Sequence, residues 1–162
     1  MSTDGQARIG LILRAATESD SDRLLGWRND PDAITFSISR RPVGRTEHQR
    51  WLAWRLAEPA ARLWIAEQAG HPVGQVRVDV EDGVGTVSIA VAPEHRGRGL
   101  GTAILEALNA EAGRDGAIRR LRALVHPENP ASLRAFTRAG YQARQNPEHG
   151  FLVLERGIGA HE

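Results

Sequence analysis

The 162-residue chain contains no cysteine and no lysine. Without cysteine there is no disulfide, no thiolate nucleophile and no cysteine metal site. Without lysine there is no Gly-Lys-Ser/Thr phosphate loop, and arginine and histidine carry all the side-chain positive charge. Aromatic residues make up only 5% of the chain and tyrosine occurs once, at position 141. No apolar run approaches the roughly 20 residues of a membrane span. Residues 1–7 are polar and lack the apolar core of a secretion signal. We expect no membrane association and a cytoplasmic location. The formal net charge of +1 makes no strong field for nucleic acid, and no aromatic-interleaved basic stretch points to one. We expect no metal site.

What is present is the composition of an ordinary globular protein, 41% apolar and 25% charged. The length suits one domain with a proper core, expected over residues 8–156, with residues 1–7 and 157–162 as flexible tails. A first strand is expected at residues 9–15. A helix from about Ser19 turns Leu24, Leu25 and Trp27 inward and ends at Pro31. Residues 36–44 read as loop. Thr46 is the expected N-cap of a helix over residues 47–57, with Trp51, Leu52 and Trp54 on its apolar side. Three strands follow, at residues 63–68, 73–80 and 84–91. The second alternates Val76, Val78 and Val80 with Gln75, Arg77 and Asp79, and Glu81-Asp82-Gly83 is a hairpin signal. A helix then runs to about Ala112, stopped by Gly113 and Gly116.

A strand at residues 121–125 precedes a helix opened by Asn129 as N-cap and Pro130 at its first position. Gly140 closes that helix, and strands at residues 141–144 and 151–154 finish the fold. The expected order is β-α-α-β-β-β-α-β-α-β-β. This is an α/β (α+β) arrangement of a mixed, largely antiparallel sheet flanked by helices.

The most informative stretch is residues 89–108, IAVAPEHRGRGLGTAILEAL. It reads as a strand, a glycine-rich turn and an amphipathic helix. The first-turn N–H groups of such a helix lack partners, and its dipole favours an anion there. Gly97, Gly99 and Gly101 give G-x-G-x-G, one residue short of the dinucleotide fingerprint. A plain tight turn is the competing reading.

Arg96-x-x-Gly99-x-Gly101 resembles the acetyl-CoA pyrophosphate loop of the GNAT superfamily of N-acetyltransferases. A second segment strengthens the likeness: Val125, Asn129 and Ser132, then Phe136, then Gly140-Tyr141. The resemblance runs from about residue 9 to 154 and implies the GNAT fold, with acetyl-CoA as co-substrate and a small-molecule amine as acceptor. It implies that Ile89, Ala90 and Val91 receive the pantetheine arm as a pseudo-strand. The N–H near Ile89 would polarise the thioester oxygen, a kind of donor worth about 3 kcal/mol in acyl-transfer sites. The N–H groups of Arg96, Gly97, Arg98, Gly99, Leu100, Gly101 and Thr102 would hold the pyrophosphate. Asn129 and Ser132 would face the pantetheine and the departing sulfur, although Asn129 also reads as a helix cap alone.

The chain departs from the family at Phe136, which stands where a tyrosine normally protonates the thiolate. Tyr141 falls in a position that is normally structural. His126 is the nearest titratable group and the candidate for deprotonating the amine, with Ser132 or a water as relay. A strand-end histidine of no catalytic consequence is the plainer reading.

For the acceptor, Trp27, Arg28, Asn29 and His48 are the candidate contacts. The segments around them resemble two subgroups. One acetylates amino-sugar nucleotides and the other ribosomal-protein N-termini. Arg40, Arg41, Arg45, His48 and Arg50 would then face a diphosphate, or form a solvated basic loop. A non-catalytic acetyl-CoA binder is the remaining alternative. The edges of a mixed sheet leave room for a homodimer.

Overall fold

The computed structural model describes residues 10–159. One seven-stranded sheet runs in the order β1-β2-β3-β4-β5-β7-β6. The strands are β1 (Leu11–Ala15), β2 (Ala61–Gln68), β3 (His71–Glu81), β4 (Val84–Val91), β5 (Arg120–Val125), β6 (Gln142–Ala143) and β7 (Leu152–Gly157). Every neighbouring pair is antiparallel except β4–β5, which is parallel. The α-helices are α1 (Ser21–Arg28), α2 (Pro31–Thr35), α3 (Arg45–Ala57), α4 (Leu100–Arg114) and α5 (Pro130–Arg138). The expected order of elements holds, with α2 added.

The alternation of the strands divides the core in two. Val76 and Val78 of β3 join Leu100, Ile104, Leu105 and Leu108 of α4 in the larger cluster. On the opposite face, Leu63 and Ile65 of β2 pack with Leu24 of α1 and Leu52 of α3. There the polar alternates of β3, Gln75, Arg77 and Asp79, line a cavity together with residues of α1 and α3. Their alternation alone would suit a solvated face equally well.

Several local expectations are corrected. Pro31 ends α1, but it also opens α2, because Asp30 caps the next turn by accepting from Asp32 and Ala33 N–H at 3.2 and 3.3 Å. Helix α3 starts at Arg45 with Gly44 as its N-cap, not Thr46. Trp54 is 56% exposed, while His48 and Arg55 take buried positions on that helix. Helix α4 continues through Gly113 to Arg114. Strand β7 extends to Gly157, and Ile158 packs against the core and donates its N–H to Arg119 O at 2.8 Å. The expected C-terminal tail is therefore structured at its first residues. The expected N-terminal tail and residue 9 of the first strand lie outside the described residues. No helix among the described residues is long and apolar enough to cross a membrane.

Candidate active site

Strands β4 and β5 pair only over Val84–Thr86 and Arg120–Arg122 among the described residues. Beyond Thr86 they part. Backbone groups alternate sides along a strand. Ala92 N–H points to β3, donating to Val73 O at 2.8 Å, while Gly83 O faces the β5 side and accepts from Arg119 N–H at 2.8 Å. The odd-numbered residues Ile89 and Val91 therefore direct their N–H and C=O into the splay. An extended chain with its own amides fits such an edge.

The glycine loop closes one end of this edge. Pro93–His95 form a 3-10 turn, and Arg96 N–H returns to Pro93 O at 3.4 Å. The Arg96 amide is thus turned inward, unlike the expectation for it. Gly97 and Gly99 have φ of 79° and 77°, the left-handed region that favours glycine. Gly99 is the N-cap of α4, so the amides of Leu100, Gly101 and Thr102 form its first turn, where intrahelical acceptors are missing. Gly101 serves packing: a Cβ there would lie 3.2 Å from Ala135 Cβ on α5. Arg98 is exposed beside the loop and Thr102 is buried.

A cavity of about 580 Å³ opens against the same strand. Ser88, Ile89 and Ala90 of β4 form part of its wall, with Gln75, Arg77 and Asp79 of β3. Helices α1 and α3 contribute Trp27, Arg28, His48 and Trp51. The 36–44 loop contributes Phe36, Ser37, Ile38, Ser39 and Val43, and Ser132, Phe136 and Phe151 complete the far side. Ile89 is thus common to the splayed edge and the cavity. The sequence marked the 36–44 segment only as loop. Its signal was Phe36 and Ile38, two large apolar residues beside serines and arginines in a connection without regular structure.

The candidate acceptor contacts separate. Trp27, Arg28 and His48 line the cavity. Asn29 instead pins the loop, donating to Val43 O at 2.8 Å and accepting from Val43 N–H at 2.7 Å. Arg28 donates to Ser39 Oγ at 2.8 Å and to Arg41 O at 3.2 Å. Burial, then the nearby Arg41 charge, pulls its pKa down. Burial also lowers the His48 pKa, with Arg28 adding to the effect. Of the remaining basic residues, Arg50 is exposed and three are engaged by other groups. Arg41 pairs with Glu47, Arg45 with Asp22, and Arg40 with the His126 ring.

His126 lies at the end of β5, between Phe36 and Phe151 at centroid distances of 5.3 and 5.5 Å. Its Nδ1 accepts from Glu128 N–H at 3.1 Å and its Nε2 lies 3.0 Å from Arg40 Nη2. Both neighbours are donors, and a neutral imidazole accepts at only one nitrogen. The two contacts therefore compete for the ring.

Asn129 caps α5, its Oδ1 accepting from Ser132 N–H at 3.2 Å. Phe136 is 2% exposed and packs edge-to-face on Tyr141 at 4.9 Å. Tyr141 O–H donates to Asn109 Oδ1 at 3.1 Å, and Asn109 Nδ2 donates to Ala139 O at 3.0 Å. Burial pushes the Tyr141 pKa up. Its hydroxyl ties α4 to the end of α5, and neither Tyr141 nor Asn109 lines the cavity.

A parted parallel pair, a glycine-capped helix beside it and a cavity at the same strand are the arrangement that the resemblance to acyl-CoA-dependent N-acyltransferases implies. The family model of the acetyltransferase (GNAT) domain matches residues 10–142, and the chain belongs to that family. It is 31% identical to an L-2,4-diaminobutyric acid acetyltransferase of Nocardia farcinica (strain IFM 10152), over 86% of this chain and 72% of that protein. Two solved structures share the fold. One is aminoglycoside acetyltransferase AAC(6')-Ib with ribostamycin and coenzyme A: TM-score 0.80, 21% identity, 91% of this chain and 93% of that one. The other is the ribosomal L7/L12 α-N-protein acetyltransferase RimL with coenzyme A: TM-score 0.81, 18% identity, 94% and 97%. The chain is an acetyl-CoA-dependent N-acetyltransferase.

Proposed function

We propose that the chain, acting in the cytoplasm as a single domain, acetylates a small primary amine seated in the cavity. The observation that carries this reading is Ile89, whose backbone faces the open edge of β4 while the residue also lines the cavity. An acyl group held along that edge would meet an amine held in the cavity.

The roles follow from position. The backbone of Ile89 and Val91 holds the pantetheine arm, and Ile89 N–H faces the thioester oxygen, whereas the backbone of Ala90 faces β3 and the residue serves only as wall. Amides from Gly97 to Thr102, beside the exposed Arg98, hold the pyrophosphate. Asn129 orders the first turn of α5 so that Ser132 stands near the sulfur, and Phe136 forms an apolar wall. The ammonium first loses a proton. The amine nitrogen then attacks the carbonyl carbon, the C–N bond forms, the C–S bond breaks and the thiolate gains a proton. His126 is the proposed proton acceptor, through a water because the ring does not line the cavity, and with Nε2 released from Arg40. Phe136 has no proton to give, so Ser132 or a water returns one to sulfur. A thiolate is a good leaving group, which lowers the demand on that step.

The reading favours a compact amine over an amino-sugar nucleotide. Of the arginines expected to face a diphosphate, Arg41, Arg45 and Arg40 are already engaged by Glu47, Asp22 and His126, and none of the four, Arg50 included, lines the cavity. The diaminobutyrate activity of the Nocardia relative supports a compact acceptor. Incubation with acetyl-CoA and an amine panel, followed by free-thiol release, is the test. Thiol release above hydrolysis is expected with at least one amine. Tight coenzyme A binding with release at the hydrolysis rate alone would instead make this a non-catalytic binder.

A further inference from the structure

Five buried side-chain polar atoms among the described residues lack a hydrogen-bond partner: Arg28 Nη1, His48 Nδ1, Arg55 Nε, Gln75 Oε1 and Arg77 Nε. Four of them belong to residues of the cavity wall, and Arg55 adjoins it by stacking on Trp51 at 5.1 Å. Unpartnered polar atoms are rare in folded proteins and call for an explanation. Here they concentrate at one place.

The charge balance there is one-sided. Asp79 lies in the wall, but it is paired with the buried Arg55 at 2.8 Å. Glu47 also lines the cavity, and Arg41 holds it at 3.1 Å. Arg28 has two neutral oxygens as its acceptors, Ser39 Oγ and Arg41 O. Arg77 has the face of Trp51, 5.6 Å from its Cζ, and the charge of Asp79 that Arg55 already engages. Two guanidinium groups thus face the cavity with no carboxylate of their own. Burial lowers the pKa of each, and neighbouring arginines lower it further, the direction expected where positive charge lacks a counter-charge. A polycationic acceptor would add to this excess. An acceptor with an anionic group would cancel it, and the arginine fork suits a carboxylate or phosphate.

We propose that Arg28 and Arg77 form a specificity subsite for an anionic group, carboxylate or phosphate, on the acceptor amine. The proposal rests on the acetyl-acceptor reading of the cavity and narrows its substrate class to amino acids or amino phosphates.

Three amines test it: 2,4-diaminobutyrate, O-phosphoethanolamine and 1,3-diaminopropane, the first and last differing only by a carboxylate. Binding is read by tryptophan fluorescence, since Trp27 and Trp51 line the cavity, and turnover by free-thiol release. At least one anionic amine is expected to bind tenfold or more tightly than 1,3-diaminopropane, and the better of the two identifies the group. In Arg77→Gln, and separately in Arg28→Gln, that ratio is expected to fall toward one while coenzyme A still binds. Coenzyme A binding shows that the variants fold, and either variant alone suffices. Equal binding of all three amines, no binding of either anionic amine, or a ratio that survives both substitutions would overturn the proposal. An anion preference in fluorescence without thiol release from any amine would support the subsite and sink the transferase reading instead.

Discussion

The Arg96 guanidinium crosses from the glycine loop to Asp30, its Nη2 lying 2.8 Å from Asp30 Oδ2, while its Nη1 reaches Asp32 at 3.2 Å. Asp30 is the N-cap of α2, and α2 leads into the loop over the cavity. One side chain therefore joins the proposed pyrophosphate site to the acceptor side. Burial raises the Asp30 pKa, but Arg96 and the amides of Ala33 and Asp32 outweigh it and hold the carboxyl below its ordinary value.

Breaking this link is expected to act on both substrates. The pair is partly exposed, so its worth is about 0.5–1 kcal/mol, or a two- to fivefold effect. Arg96→Gln and Asp30→Asn should each raise KM for acetyl-CoA and for the amine by about that factor. The double variant should do no worse than either single one. Additive effects in the double-mutant cycle would show that the two residues act independently.

His126→Ala is expected to lower kcat by about a hundredfold, the low end for a positioned base. A kcat within about twofold of the unaltered protein would move the proton to water.

Tyr141→Phe is expected to leave kcat within about twofold, because the hydroxyl holds Asn109 rather than the substrate. Removing it leaves the Asn109 oxygen without this partner at a half-buried site, at a cost of about 1 kcal/mol. Thermal unfolding should show the loss. A large fall in kcat would instead make Tyr141 the proton donor that Phe136 cannot be.

Asp20 predicts the acid behaviour of the fold. It is 1% exposed and accepts from Arg14, at 2.8 Å to each oxygen, and from Arg23 at 2.5 Å. The Arg14 hydrogen bonds, against the effect of burial, hold its carboxyl far below the usual range. A depressed folded-state pKa stabilises above the unfolded value, about 3.9, and that stability is lost as pH falls through and below it. Asp20→Asn should cost about 3 kcal/mol at pH 7, on the order of 10 °C in Tm. The difference from the unaltered protein should shrink as pH falls from about 5 toward 2. A gap independent of pH would show that Asp20 acts through packing alone.

Local signals carried most of the fold. The valines of β3, the Asn129-Pro130 cap and Gly140 placed their elements correctly, because period-two burial and capping are decided within a few residues. The glycine loop was legible for the same reason. Errors arose where one residue could serve two elements, as Pro31 does, and where neighbours chose the buried face of α3, hiding His48 and Arg55 while exposing Trp54.

The cavity was not legible. Phe36 and Phe151 are far apart in the chain yet flank His126, and Arg77 reads as a solvent residue until α3 lays Trp51 across it. Strand alternation shows that Arg77 points away from the valine core, not what waits on the other side. Pairing distant segments, and the unbalanced charge this buries, depends on how the helices pack over the sheet. That is a property of three-dimensional neighbours, which short-range patterns in the chain do not encode.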